Sequence, residues 1–167
     1  NLACKHCYSI SADTDFPGEL TTKEIFTVID DLKRFRVPVL ILSGGEPLLR
    51  PDIYVIARYA KDLGFYVALS SNGTLIDQTN IARIAEVGFD YIGISLDGIA
   101  ETHDCFRRQA GAFDASLNGI RLCQEHGIKV GIRYTMTEDN AHDLWPLLGL
   151  LEREQIDKFY FSHLNYA

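Results

Sequence analysis

Short apolar runs and amphipathic helical segments take turns along almost the whole chain, and this alternation constrains the fold more than any other feature of the sequence. Strands separated by helices lie parallel in one sheet, because each crossover returns the chain to the same end. Thr21-Thr22-Lys23-Glu24 reads as a capping box, and Ile25, Val28, Ile29, Leu32 and Phe35 follow along one helix face. Val37 to Leu42 is a continuous apolar run, the pattern of a strand covered on both faces, and it ends in Ser43-Gly44-Gly45-Glu46-Pro47. A second helix starts near Pro51-Asp52, buries Ile53, Ile56, Ala57 and Ala60, and stops at Gly64. Phe65 to Ser70 is the next strand and runs into Ser71-Asn72-Gly73; Asp77 caps a helix carrying Ile81, Ile84 and Ala85 that ends at Gly88. Tyr91 to Leu96 leads to Asp97-Gly98 and a polar stretch. A helix from about Phe113 to His126, a strand from Ile128 to Met136, a helix bearing Leu144, Leu147, Leu148 and Leu151, and a strand from Lys158 to Phe161 complete the pattern.

That is a reading of five strands and five helices, and 167 residues suit one domain with a substantial core. Right-handed crossovers admit either an open doubly wound sheet or a barrel-like arc, and periodicity does not separate them. Both put a ligand beyond the C-terminal ends of the strands, which is where the unusual residues fall. The net charge of −7 without any basic run argues against nucleic acid as a partner, and no apolar run approaches the roughly 20 residues of a bilayer crossing. Four cysteines, only two of them close together, fit a reducing cytoplasm better than a disulfide scaffold. Cys123 follows Phe113, Leu117 and Ile120 at helical spacing and reads as a small buried hydrophobe; Cys105 reads as a loop or helix-start thiol.

Chemistry concentrates at two places. In Cys4-Lys5-His6-Cys7, two thiolates separated by two residues grip one metal or cluster, a spacing shared by zinc sites and thioredoxin-like pairs. A zinc site needs a second pair of ligands, and no other paired cysteine or histidine motif follows. A thioredoxin-like pair opens a helix, whereas here a polar loop follows. Gly44-Gly45-Glu46-Pro47 is either a tight turn or a ligand cradle. Two glycines let backbone amides approach a ligand closely, and the adjacent carboxylate receives an ammonium group.

With the strand ends Ser71-Asn72-Gly73 and Ser95-Leu96-Asp97-Gly98 added, the chain resembles the radical S-adenosylmethionine (SAM) superfamily, whose signature is three cysteines separated by three and then two residues. Counting back from Cys7 and Cys4, the first cysteine is expected one position before Asn1, with the chain a piece of a longer protein. The resemblance implies an incomplete (β/α)6 TIM-like barrel of parallel strands whose first strand is missing. In it Cys4, Cys7 and the preceding cysteine hold three irons of a [4Fe-4S] cluster, and the amino and carboxylate groups of SAM chelate the fourth. By the same resemblance Gly44, Gly45, Glu46 and Pro47 bind the SAM ammonium group, Ser95 and Asp97 its ribose or carboxylate, and His6 lies near the adenine. Arg133 is either a carboxylate partner or a surface arginine, and Asn72 either a ligand contact or a left-handed turn residue. His103, Asp104 and Arg107 resemble a stretch found in enzymes with a C-terminal auxiliary-cluster domain and read as structural. Asp13 and Asp15 read as a solvated loop.

The implied reaction is reductive cleavage of SAM and hydrogen abstraction by a 5′-deoxyadenosyl radical, with flavodoxin or ferredoxin as electron donor. Gly131 to Thr137 with Asn140, and Phe161 to Ala167, most resemble the tetrapyrrole-modifying subgroup, which implies removal of propionate side chains from a sirohaem-derived tetrapyrrole in haem d biosynthesis. A peptide-modifying maturase is the alternative within the superfamily. A noncatalytic zinc or structural module is the alternative outside it.

Overall fold

A computed structural model describes residues 1–5, 7 and 18–163. The elements are α1 (Thr22–Arg34), β1 (Val39–Leu42), α2 (Ile53–Asp62), β2 (Tyr66–Ser71), α3 (Ile81–Val87), β3 (Tyr91–Ser95), α4 (Glu101–Arg107), α5 (Ala112–Glu125), β4 (Val130–Met136), α6 (Leu144–Arg153) and β5 (Phe159–His163). Thr21 and Glu24 form the capping box that starts α1: the Thr21 hydroxyl accepts from the Glu24 amide at 3.3 Å, and Glu24 accepts from the Thr21 amide at 2.8 Å. Gly88, with φ of 74°, supplies the left-handed stop of α3.

All four strand pairings are parallel, and the spatial order is the sequential one, β1-β2-β3-β4-β5. That order decides between the two architectures left open above. A doubly wound sheet reverses direction at a switch point and places helices on both faces. Five strands added in one direction by right-handed crossovers place every helix on the same face, and the sheet curls into part of a barrel.

The register shows both faces. Leu40, Val67, Ile92, Val130, Ile132 and Tyr134 point out toward the helices and pack with Ile56, Ala57, Ile84, Ile120 and Leu147 in one core. Val39, Ile41, Tyr66, Ser70, Tyr91, Gly93, Ser95, Gly131, Arg133 and Tyr160 alternate with them on the concave face. The run from Val37 to Leu42 is therefore not covered on both faces among the described residues: Val39 and Ile41 are 43% and 49% exposed because none of the described helices lies inside the curl.

Two further expectations change. The polar stretch after Asp97-Gly98 contains α4, so the described residues hold six α-helices rather than five, and Cys105 lies exposed within α4. Asp77 opens the turn before α3 instead of capping it. Its carboxylate accepts from Thr79, and the helix begins at Ile81.

Candidate functional site at the strand tips

Glu46 sits at the mouth of the curl and is 6% exposed. Its Oε1 accepts from the Leu48 amide at 3.1 Å and the Ser71 hydroxyl at 2.9 Å, and its Oε2 accepts from the Asn72 amide at 2.8 Å. One carboxylate thus caps the short 3-10 turn Pro47–Leu49 and ties the tip of β1 to that of β2. Burial pushes its pKa up, against the hydrogen bonds from Asn72, Leu48 and Ser71, so a cation brought alongside would gain the attraction that water no longer screens. Next to it Gly44 has φ of 155°, and a Cβ built on Gly44 or Gly45 meets nothing within 4 Å, so the backbone edge faces open space.

At the tip of β2, Asn72 does not adopt the left-handed conformation; Gly73 does, with φ of 82°. The Asn72 amide donates from Nδ2 to Asn1 Oδ1 at 2.9 Å, while its Oδ1 accepts from Thr74 N at 2.9 Å and Oγ1 at 2.7 Å. Asn1 also donates to Thr74 Oγ1 at 3.0 Å, which fastens the start of the cysteine segment to this tip. From outside, Ser116 on α5 donates to the Asn72 carbonyl at 2.8 Å.

At the tip of β3, Ser95 is half-buried on the concave face and Asp97 is 1% exposed. Asp97 Oδ1 accepts from the Thr135 amide at 2.8 Å, and Oδ2 pairs with the Arg107 guanidinium. The Asp97 amide donates to His103 Nδ1 at 3.0 Å, and its carbonyl accepts from Asn140 Nδ2 at 3.0 Å. The residue knots β3, β4 and α4 together.

The cysteine loop docks beside that knot. The Cys7 amide donates to the Cys4 carbonyl at 3.3 Å, the Lys5 amide donates to the Phe106 carbonyl at 3.0 Å, and Arg107 Nη1 lies 3.5 Å from Cys4 Sγ. His6, Asp13 and Asp15 lie outside the described residues. Within the curl, Arg133 donates to Ser70 Oγ at 2.8 Å across the strands. It is half-buried and lies on the concave floor rather than on the outer surface: a Cβ on Gly93 would meet its Nε at 2.7 Å. Burial pushes the neighbouring Tyr91 phenol up to about 12, which keeps it neutral. Two grooves of the helical shell, one lined by Ala100, Cys105 and Phe113 and the other by Phe26, Tyr54 and Arg83, include none of these tip residues.

The structure therefore brings the tip residues together in two groups: Glu46 with Ser71 and Asn72, whose side chain reaches Asn1 of the cysteine segment, and Asp97 with Cys4 through their shared partner Arg107. Sequence reasoning assigned no ligand-side role to Asn1, Ser71 or Arg107. Ser71 stood in a strand-tip motif, Asn1 beside the cysteine segment, and Arg107 in a stretch read as structural.

The profile of the radical SAM superfamily matches residues 1–151. The chain belongs to that superfamily. Pre-heme d1 synthase of Dinoroseobacter shibae is 54% identical over all 167 residues, and Fe-coproporphyrin III synthase of Methanosarcina barkeri is 48% identical over the same span. The chain covers 41% and 42% of those two proteins. Among solved structures, Streptococcus suis SuiB bound to S-adenosylmethionine superposes with a TM-score of 0.86 at 18% identity, over 100% of this chain and 39% of that one. Native anSMEcpe with bound AdoMet gives 0.82 at 19% identity, over 99% of this chain and 48% of that one. At such identities these two likenesses speak for the fold, a TIM-like barrel of which this chain forms part.

Radical SAM enzymes use a [4Fe-4S] cluster and SAM, and the residues present fit both. Two thiols sit on one turn, a buried carboxylate with a raised pKa stands beside two glycines that face open space, and Arg107 keeps a buried Nε without a hydrogen-bond partner among the described residues. No group of three or more His, Cys, Asp or Glu residues could hold a metal among the described residues, so Cys4 and Cys7 alone do not complete a cluster site. No helix among them is long and apolar enough to cross a membrane.

Proposed function

We propose that this chain is the SAM-cleaving part of an enzyme that removes propionate side chains from a sirohaem-derived tetrapyrrole. The observation that carries the reading is the 54% identity to pre-heme d1 synthase along the whole chain, with Fe-coproporphyrin III synthase at 48%. The peptide-modifying alternative rests on weaker likeness: mycofactocin maturase MftC of Mycobacterium tuberculosis is 36% identical over 155 residues.

Held together, a reduced cluster and SAM would supply the radical chemistry needed to take hydrogen from an unactivated position of a substrate. The residues of this chain bind, orient and exclude water. Cys4 and Cys7 would each ligate one iron of the cluster. Glu46, with Gly44, Gly45 and Pro47, receives the SAM ammonium group, and its raised pKa marks a carboxylate whose charge an ammonium would stabilise. Arg133, presented on the concave floor, pairs with the SAM carboxylate, and Ser95 takes a ribose hydroxyl. Asn72 holds the cysteine segment through Asn1, and Asp97 holds α4 against β4. His6 contributes beside the adenine. The open apolar strip of Val39 and Ile41 suits the flat apolar face of a tetrapyrrole. Flavodoxin or ferredoxin in the cytoplasm would deliver the electron.

The test uses the full-length protein, reconstituted anaerobically with iron and sulfide and supplied with SAM and a reductant. Mass spectrometry should find 5′-deoxyadenosine formed in step with loss of propionate carbon from the tetrapyrrole. Turnover with a peptide and none with tetrapyrroles would overturn the substrate; a zinc-loaded protein without SAM cleavage would overturn the reaction.

A further inference from the structure

We propose that Arg107 is a positioning residue for the cluster: its guanidinium hydrogen-bonds the Cys4 sulfur and raises the cluster's reduction potential, while Asp97 fixes its aim. The inference rests on the reading of Cys4 as an iron ligand.

Three observations converge. Arg107 Nη1 lies 3.5 Å from Cys4 Sγ across 103 residues of sequence, and Nη2 of the same side chain pairs with Asp97 Oδ2. Both charged side chains are buried, at 8% and 1% exposure, so solvent screens neither. The Lys5 amide donates to the Phe106 carbonyl at 3.0 Å, so the last turn of α4 carries the cysteine loop through its backbone as well.

A guanidinium is planar, and its two Nη groups diverge at a fixed angle. Anchoring one on Asp97 therefore sets the direction of the other, which a flexible lysine ammonium could not do. Asp97 is itself locked by the Thr135 amide at 2.8 Å and through its own amide and carbonyl, so the aim is inherited from the tips of β3 and β4. The pair is neutral overall, but its positive end points at sulfur. Reduction adds negative charge to a cluster, and a donor directed at a ligating sulfur stabilises that charge more than it stabilises the oxidised state. The same geometry explains why the Asp97 carboxylate faces inward: it supports the hydrogen bond to Cys4.

A purely structural ion pair would hold α4 equally well and leave the potential unmoved, so the potential is the readout. Full-length protein is reconstituted and titrated by EPR without SAM, and the spectrum of a Cys4→Ala variant is subtracted to remove signals from any other cluster. In Arg107→Gln the equilibrium for reduction should weaken about tenfold, a fall of about 59 mV for one electron, at an iron content equal to the parent's. Because Arg107→Gln leaves Asp97 buried and unpaired, the double variant Arg107→Gln with Asp97→Asn is titrated beside it and should show the same fall. A potential within about 15 mV of the parent in a fully loaded variant, about a twofold change, would overturn the inference while leaving the enzyme reading intact. Failure of both variants to hold iron would also overturn it, by assigning Arg107 to the fold. If the parent and Cys4→Ala gave the same spectrum, Cys4 would not be a ligand and both readings would fall.

Discussion

Gly119→Ala reverses the ordinary expectation for a glycine inside a helix. Gly119 lies within α5, where alanine is favoured over glycine by about 1 kcal/mol in an exposed helix. A Cβ at this position meets the Gly73 carbonyl oxygen at 2.6 Å and Ile76 Cβ at 3.1 Å. The oxygen belongs to backbone, so no side-chain rotation relieves the clash. The Gly73 chain cannot yield easily either: with φ of 82° it is pinned between Ile94 and Ser116, at 2.8 Å and 3.4 Å from its own hypothetical Cβ. Overpacking against such walls costs roughly 1–3 kcal/mol, near the upper end here, so after the propensity gain the net loss is about 1–2 kcal/mol. Thermal unfolding should fall by roughly 2–8 °C at this chain length. Gly149→Ala in α6 is the control, since its Cβ meets only the end of Arg153 at 3.6 Å, and it should hold or raise the melting temperature. SAM affinity should drop in Gly119→Ala and not in Gly149→Ala, because Asn72 precedes the displaced carbonyl. A Gly119→Ala protein that melts at or above the parent would refute the close packing of α5 on the β2 tip.

Other outcomes follow from single residues. Glu46→Gln should weaken SAM binding at least tenfold, about 1.4 kcal/mol, by isothermal titration of the loaded enzyme; unchanged affinity would remove Glu46 from the cofactor site. Cys123, fully buried with its thiol pushed up to about 12, should resist iodoacetamide at pH 8 in native protein while exposed Cys105 reacts, and early labelling of Cys123 by peptide mapping would contradict its burial. Glu154 is held below its ordinary 4.5 chiefly by the Arg121 hydrogen bonds at 2.6 and 2.9 Å. A depressed carboxylate contributes its full stabilisation above the unfolded pKa and loses it as pH falls through the folded one. Glu154→Gln should therefore cost about 0.5–1 kcal/mol at pH 7 and nothing at pH 2–3 in urea denaturation, a partly exposed pair being worth no more; an equal cost at both pH values would sink the assignment.

The strands and most helices were legible because their buried partners are apolar and recur at periods of two and 3.6. α4 was not. Its buried residues are His103, Phe106 and Arg107, and two of the three are polar because they meet Asp97 rather than a hydrophobic neighbour. A helix whose inner face is polar carries the composition of a loop, and the partner that explains it is several residues away around a strand tip. The misreading of β1 has a different origin: a continuous apolar run looks the same whether its second face meets helices or lines the inside of a curl. At the site, Glu46 was visible from two glycines and a strand end. That it joins two strand tips was not, since hydrogen bonds from Ser71 and Asn72 depend on the register of β1 with β2. Asn72 was expected as a ligand contact or a left-handed residue; it is not left-handed, and its side chain bonds Asn1 and Thr74, contacts that depend on how the cysteine segment folds back onto β2.

These cross-links bear on how the mouth of the curl keeps its shape. In a parallel sheet the strand tips stand side by side but are not hydrogen-bonded beyond the last ladder rung, so each is free to splay. Here polar side chains continue the ladder past its end. Glu46 joins β1 to β2, Asn72 joins β2 to the cysteine segment, and Asp97 joins β3 to β4 and, through Arg107, to Cys4. The links through Glu46 and Asp97 use buried groups whose loss would leave buried partners unsatisfied, at about 1–3 kcal/mol for a neutral donor or acceptor and more for a charge. Removing one link should therefore loosen the neighbouring tips as well, and amide hydrogen exchange in Asp97→Asn should quicken at Thr135 and Lys5 while the amides of α2 keep their parent rates. Uniform acceleration across the sheet would mean that the links support global stability only, and that the tips are positioned by the barrel itself.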